Sequence, residues 1–517
     1  MGAIKGLGRG FWEGCGLGII LLAALALRLE GIQTESAWWD EVVSLQHLDA
    51  PGVVAFVQQV RVNDPPMVPL YFVLQYTWAQ MFGAGLVTIR MLSVLLGLAS
   101  LVLVHLLGRR MFGRVAGLVA AALMAFSLPH IYYSQEVRPY ALVLALVALS
   151  AYALLEALAT RRAVWWCINI VANICLMWTH LFAVLYLAAA GIFLGVALWR
   201  GDRIRWCMFW VAAHAPSVII LALWFRSMDF VALDEASYLK RFMVLSPKLA
   251  AMQFIHLCGD NASGLKPRLP VPWLSVGVLM GSVIGVLVVG AVCRVLLRSP
   301  LERQTSREDI FFLLAWMLIP ALLLYAYSAA WYPSFNVRYA FYSSIPIFVL
   351  VGAAISMVRN RRLQAIVAAL LLALYAINLS QYPHPWRMDW KSVAWELQQN
   401  ADPKDPILVY WKSHRAPLLY ASGFQSDRIG IVKDQRGLVA KSAELAAQGK
   451  TVWVVVRTDA ADTVGWPPYE DLFNKYGLDY AKKCFGNVRP VLQLFRVRSP
   501  VWVAAGPSAS PGTAHTP

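Results

Sequence analysis

Apolar runs close to bilayer length recur from residue 12 to residue 380, separated by short polar and mostly basic stretches. Apolar segments of about 20 residues cross a ~30 Å hydrocarbon core as helices. The pattern predicts spans at about 12–30, 87–107, 114–131, 139–159, 164–180, 181–199, 207–225, 273–297, 310–330, 340–358 and 363–380. The first is long for a secretory signal, ends at Arg28 and precedes further spans, so it is expected to remain as an uncleaved helix.

Segment 67–83 is apolar too, and its placement decides the topology. If it crosses, Arg109, Arg110 and Arg114 fall outside. If it lies along the surface, the basic loops Lys5/Arg9, Arg109/Arg110/Arg114, Arg161/Arg162, Arg200/Arg203/Arg205, Arg294/Arg298/Arg303/Arg307 and Arg359/Arg361/Arg362 share one side. Cytoplasmic loops carry the excess of Lys and Arg, which selects about eleven spans with 67–83 as an interfacial helix. Pro65, Pro66 and Pro69 before it, with Tyr71, Tyr76 and Trp78 along it, suit that position. The other face then holds loop 31–86, the loop near 132–138, the turn at 180/181, loops 226–272 and 331–339, and everything beyond about 381.

The pattern changes at Gln381. Asp389–Gln399 and the region around Glu444 have helical spacing, whereas Ile407–Trp411, Val452–Val456 and Leu492–Val497 are strand-like. Short strands alternating with helices predict a small α/β domain over 381–504. Ala505–Pro517 is small and Pro-rich and reads as a disordered tail. The expected organisation is an α-helical polytopic membrane domain over 1–380 followed by this outer domain.

Composition agrees. The 517 residues are 59% hydrophobic and only 14% charged, with 21 Trp, which is too apolar for a soluble chain of this length. The net charge of +16 comes mainly from the inter-helix loops, so it does not indicate nucleic-acid binding. No GxxxxGK[ST] motif offers a nucleotide site, and no CxxC or HExxH spacing offers a zinc site. Five cysteines lie in or beside spans and read as small apolar residues. Cys258 and Cys484 both fall on the outer face and could pair, although two free thiols are the plainer reading.

Candidate chemistry gathers on the outer face. Asp40 and Glu41 follow the first span in Ala37-Trp38-Trp39-Asp40-Glu41, and Trp favours the water–bilayer boundary. Acids held there are costly and tend to be kept for chemistry or ion handling. The loop Tyr132-Tyr133-Ser134-Gln135-Glu136-Val137-Arg138-Pro139-Tyr140 places another acid and an arginine at the same boundary. An interfacial ion pair within an aromatic belt would explain Glu136, Arg138 and Tyr133 equally. Arg338 and Tyr339 precede the span at 340, and Arg90 sits near the outer end of its helix. A guanidinium offers a fork of donors suited to phosphate oxygens, and it also snorkels to lipid headgroups. His180, in Trp178-Thr179-His180, is a substrate or metal ligand or a structural hydrogen-bonding residue.

These motifs together resemble the bacterial glycosyltransferases of the GT-C superfamily, in the branch that includes protein O-mannosyltransferases and lipid A aminoarabinose transferases. The resemblance rests on Trp38-Trp39-Asp40-Glu41, Pro69-Leu70-Tyr71-Phe72, Tyr133 to Tyr140, Thr179-His180 and Arg338-Tyr339, in order over residues 1–380. Asp389-Trp390 resembles the start of the outer domain in some members. One departure is visible: many relatives have His-Pro-Pro-Leu-Tyr before the surface helix, and Met67-Val68 stand at its His-Pro positions.

The resemblance implies a hexosyl- or pentosyltransferase with a polyprenyl-phosphate-linked sugar donor and a lipid, glycan or protein acceptor. It implies residence in the inner (cytoplasmic) membrane, with the active site and C-terminal domain extracytoplasmic. Asp40 is then expected as general base, with Glu41 orienting the acceptor or sharing that role. Arg138 and Arg338 are expected on the lipid phosphate, with Arg90, Lys240 and Arg241 behind them. Glu136, Tyr133, Tyr339 and His180 complete the expected substrate contacts. Asp40 and Glu41 could hold a divalent cation together with substrate phosphate, but no nearby acid completes a cage and no obligatory metal is expected. The alternative is a lipid-headgroup transporter or flippase. Against it, such sites usually lie near the bilayer midplane, whereas these charges lie at span ends.

Overall fold

A computed structural model describes residues 2–63, 67–198, 204–226, 247–260, 276–297, 307–330, 335–381, 386–410, 412–432, 434–458, 468–485 and 491–498. Lys240, Arg241 and the tail 505–517 lie outside the described residues. The chain divides into two compact units, one made of Met1–Gln33 with Val43–Pro383 and the other of Thr34–Val42 with His384–Pro517.

The first unit is helical. It opens with α1 (Gly2–Leu29), α2 (Trp39–Leu45), whose first turns belong to the other unit, α3 (Val53–Asn63) and α4 (Leu70–Phe82). Then come α5 (Leu86–Phe112), α6 (Arg114–Phe126), α7 (Leu128–Ser134), α8 (Tyr140–Thr160), α9 (Ala163–Met177), α10 (Val184–Leu198) and α11 (Ile204–Arg226). It closes with α12 (Pro247–Leu257), α13 (Val276–Leu297), α14 (Arg307–Ala330), α15 (Ser344–Ser356) and α16 (Arg361–Ser380).

Among the described residues, eight helices are long and apolar enough to cross a membrane, or nine if α6 and α7, bent by 68°, form one span. The remaining two expected spans fall on the shorter apolar helices Ala163–Met177 and Leu181–Ala197. The 13-residue α4 is too short to cross. The break between α6 and α7 follows from Pro129 in the first turn of α7, since proline cannot donate to the preceding turn.

One group of polar side chains inside the bundle forms a connected network. Asn169 Nδ2 donates to Ser150 O and Oγ at 2.9 and 3.0 Å, and Asn169 Oδ1 accepts from Trp210 Nε1 at 2.8 Å. Ser150 Oγ donates to Asn173 Oδ1 at 2.6 Å and accepts from Tyr186 at 3.2 Å. Four helices are tied together where lipid offers no alternative partner. Asn169→Ala strands several of these groups, so it is expected to destabilise the bundle by about 1–3 kcal/mol. Thermal unfolding in detergent checks this, and an unchanged midpoint would show the network to be dispensable.

In the first half of α1, buried Glu13 pairs with Arg109 at 3.2 Å and Arg114 at 2.9 Å and lies 3.1 Å from His105 Nε2. This carboxylate joins the first helix to the α5–α6 turn, the turn whose arginines set the topology argument above.

The second unit is a mixed five-stranded sheet, ordered β2-β1-β3-β5-β4. Its strands are β1 (Ile407–Tyr410), β2 (Ile429–Val432), β3 (Val452–Thr458), β4 (Asp479–Phe485) and β5 (Val491–Arg498). β1 runs parallel to β2 and β3, with Ile407 opposite both Ile429 and Trp453, whereas β5 lies antiparallel between β3 and β4. The helices are α17 (Trp390–Asn400), α18 (Lys412–Ser422), α19 (Gln435–Ala447) and α20 (Tyr469–Lys475). Asp389 caps α17 by accepting from Ser392 N at 3.1 Å, and Trp390 behind it is fully buried. β2 and β4, absent from the sequence reading, are the two edges, where a strand needs no continuous apolar face and Lys482 and Lys483 discourage pairing. All seven cysteines, Cys258 and Cys484 included, are free.

Candidate active site

Two groups of the expected residues have distinct surroundings. The first is the acidic segment of the second unit. Asp40 and Glu41 occupy the first turn of α2, where carboxylates meet unsatisfied backbone N–H groups favourably. The two then differ. Glu41 is fully buried, accepts from Trp38 N at 3.4 Å and lies 3.8 Å from the buried Arg387 guanidinium. Asp40 is partly exposed. The segment before them is held by side chains that the sequence pattern did not single out. Glu35 accepts from the backbone N–H of Trp386 at 2.5 Å and of Arg387 at 3.0 Å, and Ser36 Oγ accepts from Lys391 N at 3.1 Å. A buried acid that takes two backbone donors is a structural clasp, and it leaves Asp40 as the accessible acid of the segment.

The second group lies in the first unit. The Asn336 side chain accepts from Arg338 N at 3.2 Å and so starts the 3-10 turn Val337–Ser343. The Arg338 guanidinium stands 5.8 Å from the Tyr140 ring centre and 5.5 Å from that of Tyr339. His180 is 5.6 Å from Tyr140 and 5.7 Å from Tyr339, ring to ring. Tyr133 packs on Tyr140 at 4.9 Å and on Phe341 at 4.8 Å. Tyr339 stacks on Phe182 at 4.5 Å with the planes 13° apart. Burial first, and then the positive charges of Arg138 and Arg338, push His180 down to about 3. Its imidazole is therefore neutral at physiological pH, and both guanidiniums are near enough to act on it.

Glu136 is fully buried at the end of the same loop, with its carbonyl accepting from Ser93 Oγ at 2.6 Å. Arg90, also fully buried, donates to Ile32 O at 2.9 Å, which gives it a hold on the end of the first helix. The structure thus brings Arg138, Arg338, Tyr339, Tyr133 and His180 around Tyr140. It adds Phe341 and His256, the latter 6.1 Å from Tyr133 and 5.4 Å from Phe341. His256 is also pushed down to about 3, by burial. No motif marks it, because it sits on a short helix of ordinary amphipathic composition.

The chemistry open to this cluster is anion binding on an aromatic floor: two cations from segments some 200 residues apart, both close enough to act on a neutral histidine. Among the described residues no group of three His, Cys, Asp or Glu could hold a metal ion.

The family model for dolichyl-phosphate-mannose-protein mannosyltransferase matches residues 63–225, a stretch that contains the loop with Tyr133, Glu136 and Arg138 as well as His180. The Archaeoglobus fulgidus oligosaccharyltransferase, solved with a tethered acceptor peptide containing the NVT sequon, superposes with a TM-score of 0.50 at 13% identity over 86% of this chain and 69% of that one. The chain thus shares its fold with that oligosaccharyltransferase, and residues 63–225 are similar to the mannosyltransferase family. At 13% identity the structural likeness is one of fold. ArnT from Cupriavidus metallidurans in the apo state matches at a TM-score of 0.41 and 12% identity, over 94% of this chain and 98% of that one. No curated protein matches in sequence. The chain is a multi-pass membrane protein with a small C-terminal sheet domain.

Proposed function

We propose that this protein is a glycosyltransferase of GT-C type that transfers a hexosyl or pentosyl unit from a polyprenyl-phosphate-linked donor to an acceptor hydroxyl on a lipid, glycan or protein at the extracytoplasmic face of the inner membrane. The observation that carries the reading is the approach of Arg138 and Arg338 to one aromatic group around Tyr140 and His180. A lipid-linked donor needs no nucleotide site, in keeping with the missing P-loop. The matched family model is named for a phosphate-linked sugar donor of this chemical type.

In the proposed reaction the acceptor oxygen attacks the anomeric carbon, its proton passes to Asp40, and the bond from that carbon to the phosphate oxygen breaks. The leaving lipid phosphate gains negative charge. Fixed guanidiniums that meet this charge stabilise the transition state more than the ground state. A single displacement inverts the anomeric configuration. His180, neutral at working pH, donates a hydrogen bond without adding charge. Glu41 serves as an anchor for the turn that presents Asp40. No step is routed through a divalent cation.

The test uses purified full-length protein in nanodiscs with radiolabelled polyprenyl-phosphate sugars and a panel of acceptors. Release of free lipid phosphate in step with sugar transfer is the expected result. In proteoliposomes, donor that crosses the bilayer intact would overturn the reading in favour of a flippase. A reporter fused at residue 400 is expected to report an extracytoplasmic location, and a cytoplasmic signal would remove the sidedness.

A further inference from the structure

The loop with Glu136 and Arg138 leaves a helix that is broken inside the bundle, and the break has a chemical consequence. In an unbroken helix the N–H of residue 129 would bond the carbonyl of Ala125, but residue 129 is proline. A carbonyl left without a donor in hydrocarbon is strongly disfavoured. Arg28, in the last turn of α1 and fully buried, supplies the donor: its Nη1 bonds Ala125 O at 3.2 Å and Ala24 O at 3.2 Å. Its Nε donates to Ser134 Oγ at 3.1 Å, and Ser134 in turn donates to His130 O at 2.6 Å. One guanidinium therefore holds both sides of the break.

The grip is returned. Gln135 Nε2 donates to the carbonyls of Arg28 at 2.9 Å and of Glu30 at 2.6 Å. Gly97 of α5 closes the arrangement from the side. A β-carbon there would overlap the Ser134 hydroxyl, lie 3.0 Å from Ser134 Cβ and 3.4 Å from Arg28 Nε. A buried guanidinium held by carbonyls and a hydroxyl is an expensive choice where packing alone would accept an apolar side chain.

We propose that Arg28 is a positioning residue for sugar transfer. It replaces the backbone donor removed by Pro129 and, with Ser134, Gln135 and Gly97, fixes the loop that carries Glu136 and Arg138. The proposal rests on the glycosyltransferase reading above. A displacement of about 1 Å in a positioned group costs on the order of 10² in rate, so a loose anchor acts on turnover before it unfolds the bundle.

The experiment compares wild type, Arg28→Met, Arg28→Lys and Ser134→Ala, all full-length in nanodiscs, by hydrogen exchange and by steady-state transfer from a polyprenyl-phosphate sugar. Expected is a roughly tenfold or greater rise in exchange confined to 132–138, with α8 at wild-type protection. Turnover should fall about 100-fold in Arg28→Met, with partial recovery in Arg28→Lys, and about tenfold in Ser134→Ala. Ser134→Ala removes one hydroxyl, so it keeps the test decisive if Arg28→Met does not fold. Transfer by wild type with exchange and turnover unaltered in Ser134→Ala and Arg28→Lys overturns the anchor. Exchange that rises evenly through α1, α5 and α6 overturns it as well. A wild type with no transfer activity, but with the localised exchange difference intact, overturns the assigned activity and supports the anchor.

Discussion

Asp40→Asn is expected to reduce sugar transfer by roughly 10²–10⁴ while leaving donor binding near wild type, because a carboxylate base contributes that much when it takes the acceptor proton in the transition state. Asparagine is close in size and keeps a hydrogen-bonding oxygen at the first turn of α2, but it cannot accept the proton. The neighbouring acid gives the contrast. Glu41 is buried against Arg387 at 3.8 Å, so Glu41→Gln should act on the stability of the second unit by removing a negative charge beside a buried guanidinium. Turnover at saturating donor and acceptor, with a binding measurement for each, separates the two. Near-normal turnover in Asp40→Asn would remove the base from Asp40.

Arg338→Ala should weaken donor lipid binding by roughly 10- to 100-fold, the range for losing a charge-assisted hydrogen bond of about 1.5–3 kcal/mol, with little change in acceptor binding. The effect should exceed that of removing any one of the surrounding rings, since Tyr140 and Tyr339 present faces to the guanidinium rather than charge to the ligand. Arg338→Lys keeps the charge but loses the fork geometry and is expected to fall between wild type and Arg338→Ala. Titration with the polyprenyl phosphate alone, without sugar, isolates the phosphate contribution. Equal losses for donor and acceptor would argue that Arg338 organises the fold rather than the phosphate.

The membrane unit was legible because lipid enforces its own rule: a segment that crosses must be a helix and must be apolar. Among the described residues each of the eleven expected spans is helical, 114–131 as a pair bent by 68° and α9 and the helix beginning at Leu181 as short ones. Central strands β1, β3 and β5 announced themselves by continuous burial, as in Val452 to Val456. Edge strands did not, since Asp479–Phe485 carries two lysines and Asp479 and Ala481 to Cys484 are exposed. In the site, residues that carry charge at the boundary were visible singly. Their supports were not. Glu35 bonds backbone more than 300 positions away, and Arg28 completes a carbonyl orphaned by a proline in another helix. Such contacts are set by tertiary placement and leave no local period. His256 escaped for the same reason.

The clasp between Glu35 and the N–H groups of Trp386 and Arg387 has a consequence for biosynthesis. A ribosome must add some 350 further residues after Glu35 before its partners exist. Insertion of every predicted span precedes the moment at which the acidic turn acquires its support. A nascent chain stalled short of Trp386 would carry its apolar helices while the turn after Glu35 still lacked the backbone donors that hold it.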